Sequence, residues 1–186
     1  LILGMNLDIE YIMPAHGIIW KDYIADIIET YKDIATQKVA NKAVIVYESV
    51  WKHTQQIAES LAEGFSDADM DVKVYQLSDT KSSIVMREIM DAKVVCIGSG
   101  TYNNVMAPSV AAFLEHIRPC KFKNKKGLAF AAYGWFNQVA KEIDTRMQQS
   151  GIESCHDVIN QCYTPSDDQL EDYFNVAKEI AKKCQE

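Results

Sequence analysis

The sequence lacks the signals of a membrane or secreted protein. No apolar run approaches the roughly 20 residues that a membrane-spanning helix needs, so we expect no membrane partner. The first residues, LILGMNLDIEYIM, have no basic segment and no small-residue cleavage site, so we expect no signal peptide. They also lack an initiator methionine, from which we expect that the chain was cut from a longer protein.

A disulfide or zinc framework is also missing. The five cysteines include no C-x-x-C pair, and their number is odd. Without a secretion signal, we interpret them as reduced thiols of a cytoplasmic protein. Cys155 stands beside His156, but two ligands do not make a structural zinc site.

The chain has no basic face that would suit a nucleic acid. Its net charge is -7 and its pI is near 5.1, whereas a phosphate backbone requires a positively charged surface. We therefore expect no nucleic-acid partner. The one basic cluster, in residues 121–126, is interpreted as a solvated loop before a strand.

From residue 42 onward, apolar runs alternate with segments of helical periodicity. The runs are nearly continuous in apolar character, which suits strands that are buried on both faces. This order predicts an α/β fold, a doubly wound parallel sheet with helices on both faces. The last helix is expected to begin with a capping pair, Ser166 and Gln169. The predicted strands are KAVIVYE (42–48), DVKVYQL (71–77), KVVCIG (93–98), GLAFAAY (127–133) and DVINQCY (157–163).

Residues 1–41 do not follow this alternation of apolar runs and helical segments. We interpret residues 21–41 as an amphipathic linking helix and residues 42–186 as the α/β domain. Residues 1–20 end in YIMPAHGIIW, a short apolar piece with strand-like character.

Ligands of doubly wound sheets bind outside the carboxyl ends of the strands. Three segments lie there, which we name the first loop (48–54), the second loop (98–105) and the third loop (132–138). The first loop leads into a helix, whose N-terminal N–H groups suit a phosphate, and the hydroxyls of Ser49 and Thr54 add donors. The alternative is that one of these hydroxyls simply caps the helix. The candidate residues of this loop are Ser49, Val50, Trp51, Lys52, His53 and Thr54.

The first loop matches neither of two common phosphate motifs. It lacks the glycines and the G-K-[ST] ending of a Walker A loop. No G-x-G-x-x-G follows the first strand, so a dinucleotide fingerprint is missing too.

The second and third loops predict a site for a flat heterocycle. Amide and hydroxyl groups in a row can bond the C=O and N–H groups of a planar ring, and an aromatic side chain can lie against its face. Together with a phosphate, this combination predicts flavin mononucleotide (FMN). The candidate residues are Gly100, Thr101, Tyr102, Asn103 and Asn104 in the second loop, and Ala132, Tyr133, Gly134 and Trp135 in the third.

The motifs YESVWKHT, GSGTYNN and AAYGWFNQ, in this order, resemble the flavodoxin-like domain of the flavodiiron proteins (A-type flavoproteins). The family pattern is close to Y-[DE]-[ST]-M-W-x-x-T, G-S-P-T-Y-N-N and S-Y-G-W. Val50 stands at the Met position, Gly100 at the Pro position and Ala132 at the Ser position. The resemblance, from Ile9 to about Lys183, implies FMN as cofactor and a flavodoxin-like, five-stranded parallel sheet of order 2-1-3-4-5.

The phrase IMPAHG resembles the end of the family's metallo-β-lactamase-like domain, whose last histidine is a ligand of a diiron centre. The matching position is His16. The resemblance implies that residues 1–20 are a remnant of that domain and that His16 binds iron only in the full-length parent. Nothing in this chain resembles the family's H-x-E-x-D-H cluster, so we expect no diiron centre in the chain alone.

The resemblance also implies a function in electron transfer. The flavin would relay electrons from a reduced donor, either a rubredoxin-like protein or a reduced cofactor, to a diiron site that reduces dioxygen or nitric oxide. Family members pair as head-to-tail homodimers. The chain alone would be an electron carrier of an oxidoreductase, with no catalytic residue of its own. Because the chain is acidic, we expect the second electron to enter the flavin at a low potential.

Three other functions are open to the same fold. A flavin-dependent NAD(P)H:quinone reductase would need a second pocket over the flavin, and the sequence shows no extra loop for one. A phosphoacceptor signalling domain would need an Asp at the end of the third strand, which here reads CIGSG. A non-enzymatic interaction domain would bind no flavin at all.

Overall fold

The structure, a computed structural model, describes residues 7–185 and divides into two units between residues 38 and 39. The predicted boundaries after residues 20 and 41 stay predictions. Residues 1–6 and 186, which belong to the two outer predicted segments, lie outside the described residues.

The described part of the N-terminal unit, from residue 7, contains one helix and one bend. Helix α1 (Ile24–Thr36) is flanked by Tyr23 and Gln37, which both have positive φ. The strand-like piece YIMPAHGIIW is a bend that two backbone hydrogen bonds close between Ile12 and Trp20, with N···O distances of 2.9 and 3.0 Å. It forms an isolated bridge rather than a strand.

The C-terminal unit is a parallel sheet with helices on both faces, as predicted. The described strands are β1 (Ala40–Glu48), β2 (Asp71–Gln76), β3 (Ala92–Tyr102), β4 (Val105–Met106), β5 (Lys126–Tyr133), β6 (Glu153–Ser154) and β7 (Ile159–Cys162). The described helices are α2 (His53–Asp67), α3 (Ser82–Met90), α4 (Pro108–Ile117), α5 (Val139–Gln149) and α6 (Asp167–Gln185), with a 3-10 turn at Arg118–Cys120.

The strand order differs slightly from the predicted 2-1-3-4-5. The central order is β2-β1-β3-β5, but two short strands share the last position: β6 pairs with the start of β5 and β7 with its end. In addition, β4 pairs antiparallel with the end of β3. Among the described residues the sheet therefore has seven strands, because β6 lies before the fifth predicted strand and the short strand β4 pairs with the end of the third.

Two apolar clusters cover the faces of the sheet. Along β1, Val44 and Val46 pack with α3, α4 and α5, while Ile45 and Tyr47 pack with α2 and α6. This alternation follows from the period of two in a strand, and it explains why β1 is apolar at successive positions. The carboxyl ends of β1, β3 and β5 consequently lie at one edge of a rigid, doubly covered sheet.

The start of α6 confirms the expected capping pair. The Gln169 N–H donates to Ser166 Oγ at 3.3 Å, and the Ser166 N–H donates to Gln169 Oε1 at 3.0 Å. These two bonds satisfy N–H groups that a helix start leaves without intrahelical partners.

The interpretation of the basic cluster as solvated is wrong for Lys125. Its side chain is buried, and its ammonium donates to the carbonyl oxygens of Met90 and Ala92, both at 2.9 Å. The ammonium also lies 5.4 Å from the centre of the Phe122 ring. Lys125 thus binds carbonyl groups where α3 ends and β3 begins.

Lys125 makes the stability of the chain depend on pH. Burial lowers the pKa of Lys125 to about 8, below the ordinary value of about 10.4. Between these values the unfolded chain binds more protons than the folded one, so the Lys125 contribution to the free energy of unfolding rises with pH. We expect the free energy of unfolding of the wild type, minus that of Lys125→Met, to rise from pH 8 to pH 10.4 in urea titrations.

The matched control is Lys141→Met, which removes an exposed lysine of α5. The difference in the free energy of unfolding between the wild type and Lys141→Met is expected to stay constant from pH 8 to pH 10.4. A Lys125→Met difference that is equally flat, or that falls as the pH rises, would contradict the burial argument.

Candidate functional site

The three loops meet around one cavity of about 490 Å³ at the carboxyl edge of the sheet. Of the fifteen predicted site residues, Lys52 and Asn104 do not line it. One further residue, Tyr163, lines the cavity and was not predicted. The other lining residues are Ser49, Val50, Trp51, His53, Thr54, Gly100, Thr101, Tyr102, Asn103, Ala132, Tyr133, Gly134 and Trp135. Their part in binding a flavin stays a prediction.

The first loop places free donors at the start of α2. Lys52 precedes the helix with φ 65°, and no side chain caps the helix start, so the alternative of a simple cap is not what the structure has. Thr54 is only 1% exposed. Within residues 7–185, the hydroxyls of Ser49 and Thr54 have no hydrogen-bond partner. A helix N-terminus with two unpartnered hydroxyls is suited to an anion.

A buried carboxylate, that of Glu48, accepts hydrogen bonds from the first loop and from two neighbouring elements. Glu48 is 7% exposed, and its Oε1 accepts from the Ser49 N–H at 3.1 Å and from Gln76 Nε2 at 2.9 Å. Its Oε2 accepts from Ser109 Oγ at 3.0 Å. The carboxylate thus connects the ends of β1 and β2 with the start of α4. Burial and then the Glu48 charge raise the pKa of Tyr102, so the field of this carboxylate reaches a residue of the cavity.

The second loop is a tight hairpin between β3 and β4. Asn103 and Asn104 form its turn, with φ of 45° and 68°. A two-residue turn of this kind requires positive φ at both positions, which asparagine tolerates better than most residues. The structure therefore gives the Asn-Asn pair a backbone role, which does not depend on a ligand.

Two hydrogen bonds join the second loop to the third. The Trp135 indole N–H donates to Asn104 Oδ1 at 2.9 Å, and the Thr101 hydroxyl donates to the Phe136 carbonyl at 3.3 Å. Trp135 nevertheless remains 77% exposed, so its ring stands at the mouth of the cavity. Asn104 does not line the cavity, but it positions a side chain that does.

Gly100 marks the place where the first and second loops approach each other. A Cβ at Gly100 would lie 3.7 Å from Thr54 Oγ1 and 3.6 Å from Cε2 of Tyr102. These are ordinary contact distances. A Cβ at this position would therefore touch both loops without a clash.

His16 lies in the bend of the N-terminal unit and is exposed. The described residues contain no group of three or more His, Cys, Asp or Glu side chains that could hold a metal ion. A role for His16 as an iron ligand in a longer parent stays a prediction.

None of the helices in the described part of the chain combines the length and the apolar character that crossing a membrane would require.

Comparisons with known proteins agree with this geometry. The family model described as Flavodoxin matches residues 45–183. The anaerobic nitric oxide reductase flavorubredoxin of Pectobacterium carotovorum is 32% identical over 98% of this chain and 36% of its own length. Rubredoxin oxygen:oxidoreductase of Desulfovibrio gigas superimposes with a TM-score of 0.93 at 32% identity, over 99% of this chain and 46% of that one. The flavodiiron protein of Giardia intestinalis superimposes with a TM-score of 0.90 at 25% identity, over 98% and 46%.

The chain spans less than half the length of these relatives. The match extends beyond the flavodoxin segment on its N-terminal side, as the coverage of 98–99% of this chain requires. The chain therefore belongs to the flavodoxin family, and its homologues over nearly its whole described length are flavodiiron proteins.

Proposed function

We propose that the cavity binds FMN and that the chain is the electron-transfer domain of a flavodiiron-type oxidoreductase. The observation that carries the proposal is that one cavity combines donors suited to a phosphate with aromatic side chains suited to a flat ring. Unpartnered hydroxyls and an uncapped helix start lie at the first loop, the half-buried ring of Tyr102 lies at the second loop, and the exposed ring of Trp135 lies at the third.

The residues present fit this cofactor. The cavity volume of about 490 Å³ lies in the range of small-molecule sites. Ser49, Thr54 and the N–H groups at the start of α2 would hold the phosphate, whose charge the helix dipole favours. Tyr102 and Trp135 would flank the ring and exclude water from it. The bound flavin would supply the redox chemistry, and the chain would supply its orientation and electrostatic surroundings.

The proposed role of the chain within an oxidoreductase is based on its similarity to these relatives. These relatives are a nitric oxide reductase, a rubredoxin oxygen:oxidoreductase and a flavodiiron protein. By analogy, we propose that electrons enter from a rubredoxin-type donor and pass to a diiron site that reduces dioxygen or nitric oxide. In the full-length parent, that site would have His16 as one ligand, and the subunits would form a head-to-tail pair.

The absorption spectrum of the purified chain tests the proposal. We expect a yellow protein with the bands of oxidised flavin, and tight rebinding of FMN after the flavin has been removed. A colourless chain whose apoprotein binds neither FMN nor riboflavin would overturn it. Steady-state oxidation of NADH with a quinone would instead support the quinone reductase alternative.

Glu48 is expected to lower the reduction potential of the bound flavin. Its buried negative charge disfavours an anionic reduced ring, and charges in such sites act with an effective dielectric constant near 20. We expect Glu48→Gln to raise the potential on the order of tens of millivolts in a redox titration. Glu63→Gln, which removes an exposed charge of α2, serves as control and is expected to leave the potential nearly unchanged. A lower potential in Glu48→Gln would contradict the argument.

A further inference from the structure

A fourth loop (163–166), between β7 and α6, bridges the first and third loops. The Tyr163 N–H donates to the Tyr133 carbonyl at 2.9 Å, which extends the pairing of β7 with β5 by one residue. A Cβ added to Gly134 would lie 3.3 Å from Cε1 of the Tyr163 ring. The Tyr163 ring therefore lies directly against the third loop, and the glycine permits this close approach.

On its other side, the fourth loop contacts the first. Thr164 Oγ1 lies 3.1 Å from His53 Nε2, a hydrogen bond between residues 111 positions apart. His53 is the first residue of α2 and lines the cavity at its predicted phosphate end. The Thr164 hydroxyl thus restrains the orientation of the His53 imidazole.

The backbone of Tyr163 adds an independent indication. Its φ is 57°, a left-handed conformation that is uncommon for an aromatic residue. Such positions are costly and concentrate at ligand-binding sites. The Tyr163 side chain is 63% exposed although it lines the cavity, so burial in the core does not account for its placement.

We infer that the fourth loop is part of the flavin site, an inference that rests on the proposed function. Tyr163 contacts the bound flavin. Thr164 is a positioning residue that holds His53 against the phosphate. If the Thr164 hydroxyl donates to Nε2, the imidazole carries its proton on Nδ1, and this N–H is left to donate to a phosphate oxygen.

Titration of the apoprotein with FMN and with riboflavin, followed by flavin fluorescence, separates the two roles because riboflavin has no phosphate. Tyr163→Ala is expected to weaken both ligands about tenfold, the scale of a lost aromatic contact. His53→Ala and Thr164→Val are each expected to weaken FMN about tenfold and to leave riboflavin unchanged. Thr164→Ser keeps the hydroxyl and is expected to restore FMN affinity.

A double variant tests the positioning role. Because Thr164 acts through His53, His53→Ala with Thr164→Val is expected to bind FMN no more weakly than His53→Ala alone. Additive losses, or equal losses for FMN and riboflavin, would overturn the role of Thr164, and unchanged affinities in Tyr163→Ala would overturn the contact.

Two controls complete the experiment. Tyr31→Ala removes an exposed tyrosine of α1 and is expected to change neither affinity. The thermal midpoint of each apoprotein shows whether a variant is folded, and Tyr163→Ala is expected to match the wild type because the side chain is mostly exposed. A wild-type apoprotein that binds neither flavin overturns the proposed function itself, whereas wild-type binding with unaffected variants overturns only the fourth loop.

Discussion

Replacing Ser49 by Ala and Thr54 by Val together is expected to weaken FMN binding by more than about a hundredfold. Each hydroxyl would donate to a charged phosphate, and a hydrogen bond to a charged group contributes about 1.5–3 kcal/mol. Two such bonds amount to at least about 3 kcal/mol, which corresponds to a factor above one hundred. Fluorescence titration of the apoprotein measures the loss.

The same variant is expected to fold as stably as the wild type. Neither hydroxyl has a partner within the described residues, so removing them from the apoprotein breaks no hydrogen bond. Valine keeps the branched shape that buried Thr54 requires. Riboflavin affinity is expected to remain unchanged, and Thr145→Val, at an exposed site of α5, is the matched control. Unchanged FMN affinity in the double variant would refute the assignment of the first loop to the phosphate.

Continuous apolar runs made the central sheet predictable. The β1 strand is buried on both faces from Lys42 to Glu48, and its boundary agrees with the predicted run to within two residues at each end. The fifth apolar run predicted its strand less accurately, because only Ile159–Cys162 of the predicted residues 157–163 form a strand. A two-residue strand such as β4 contains too few residues to show a period of two.

The position of the cavity followed from topology, since the carboxyl ends of neighbouring parallel strands must converge. The same rule applied to the end of β7 would have included Tyr163, but the aromatic residue stood inside the predicted strand rather than after it. The hydrogen bond between Trp135 and Asn104 had no sequence signal, because it joins two loops 31 positions apart. Lys125 was misjudged for a related reason: a lysine among lysines gives no sign that its ammonium will bind buried carbonyl groups.

Gly64 is expected to be a sensitive position in the packing behind the site. It lies where α2 crosses α6, and a Cβ there would lie 2.2 Å from the Phe174 carbonyl oxygen and 2.8 Å from Cβ of Ala177. No rotamer change relieves a contact with backbone, so α6 would have to move away from α2. We expect Gly64→Val to lower the free energy of unfolding by about 3 kcal/mol in urea titrations, the upper end of the usual overpacking cost.

The matched control is Glu63→Val, because it places the same side chain on the exposed side of α2. It places a valine in the same helix without the contact to α6, and it is expected to cost only the small loss of helix propensity from glutamate to valine. Since α2 begins at the predicted phosphate end of the cavity, we also expect Gly64→Val to weaken FMN binding and Glu63→Val to leave it unchanged. Equal stabilities of the two variants would contradict the packing argument, because they would show that α6 moves away from α2 without cost. The close approach of the two helices would then not be what positions the first loop.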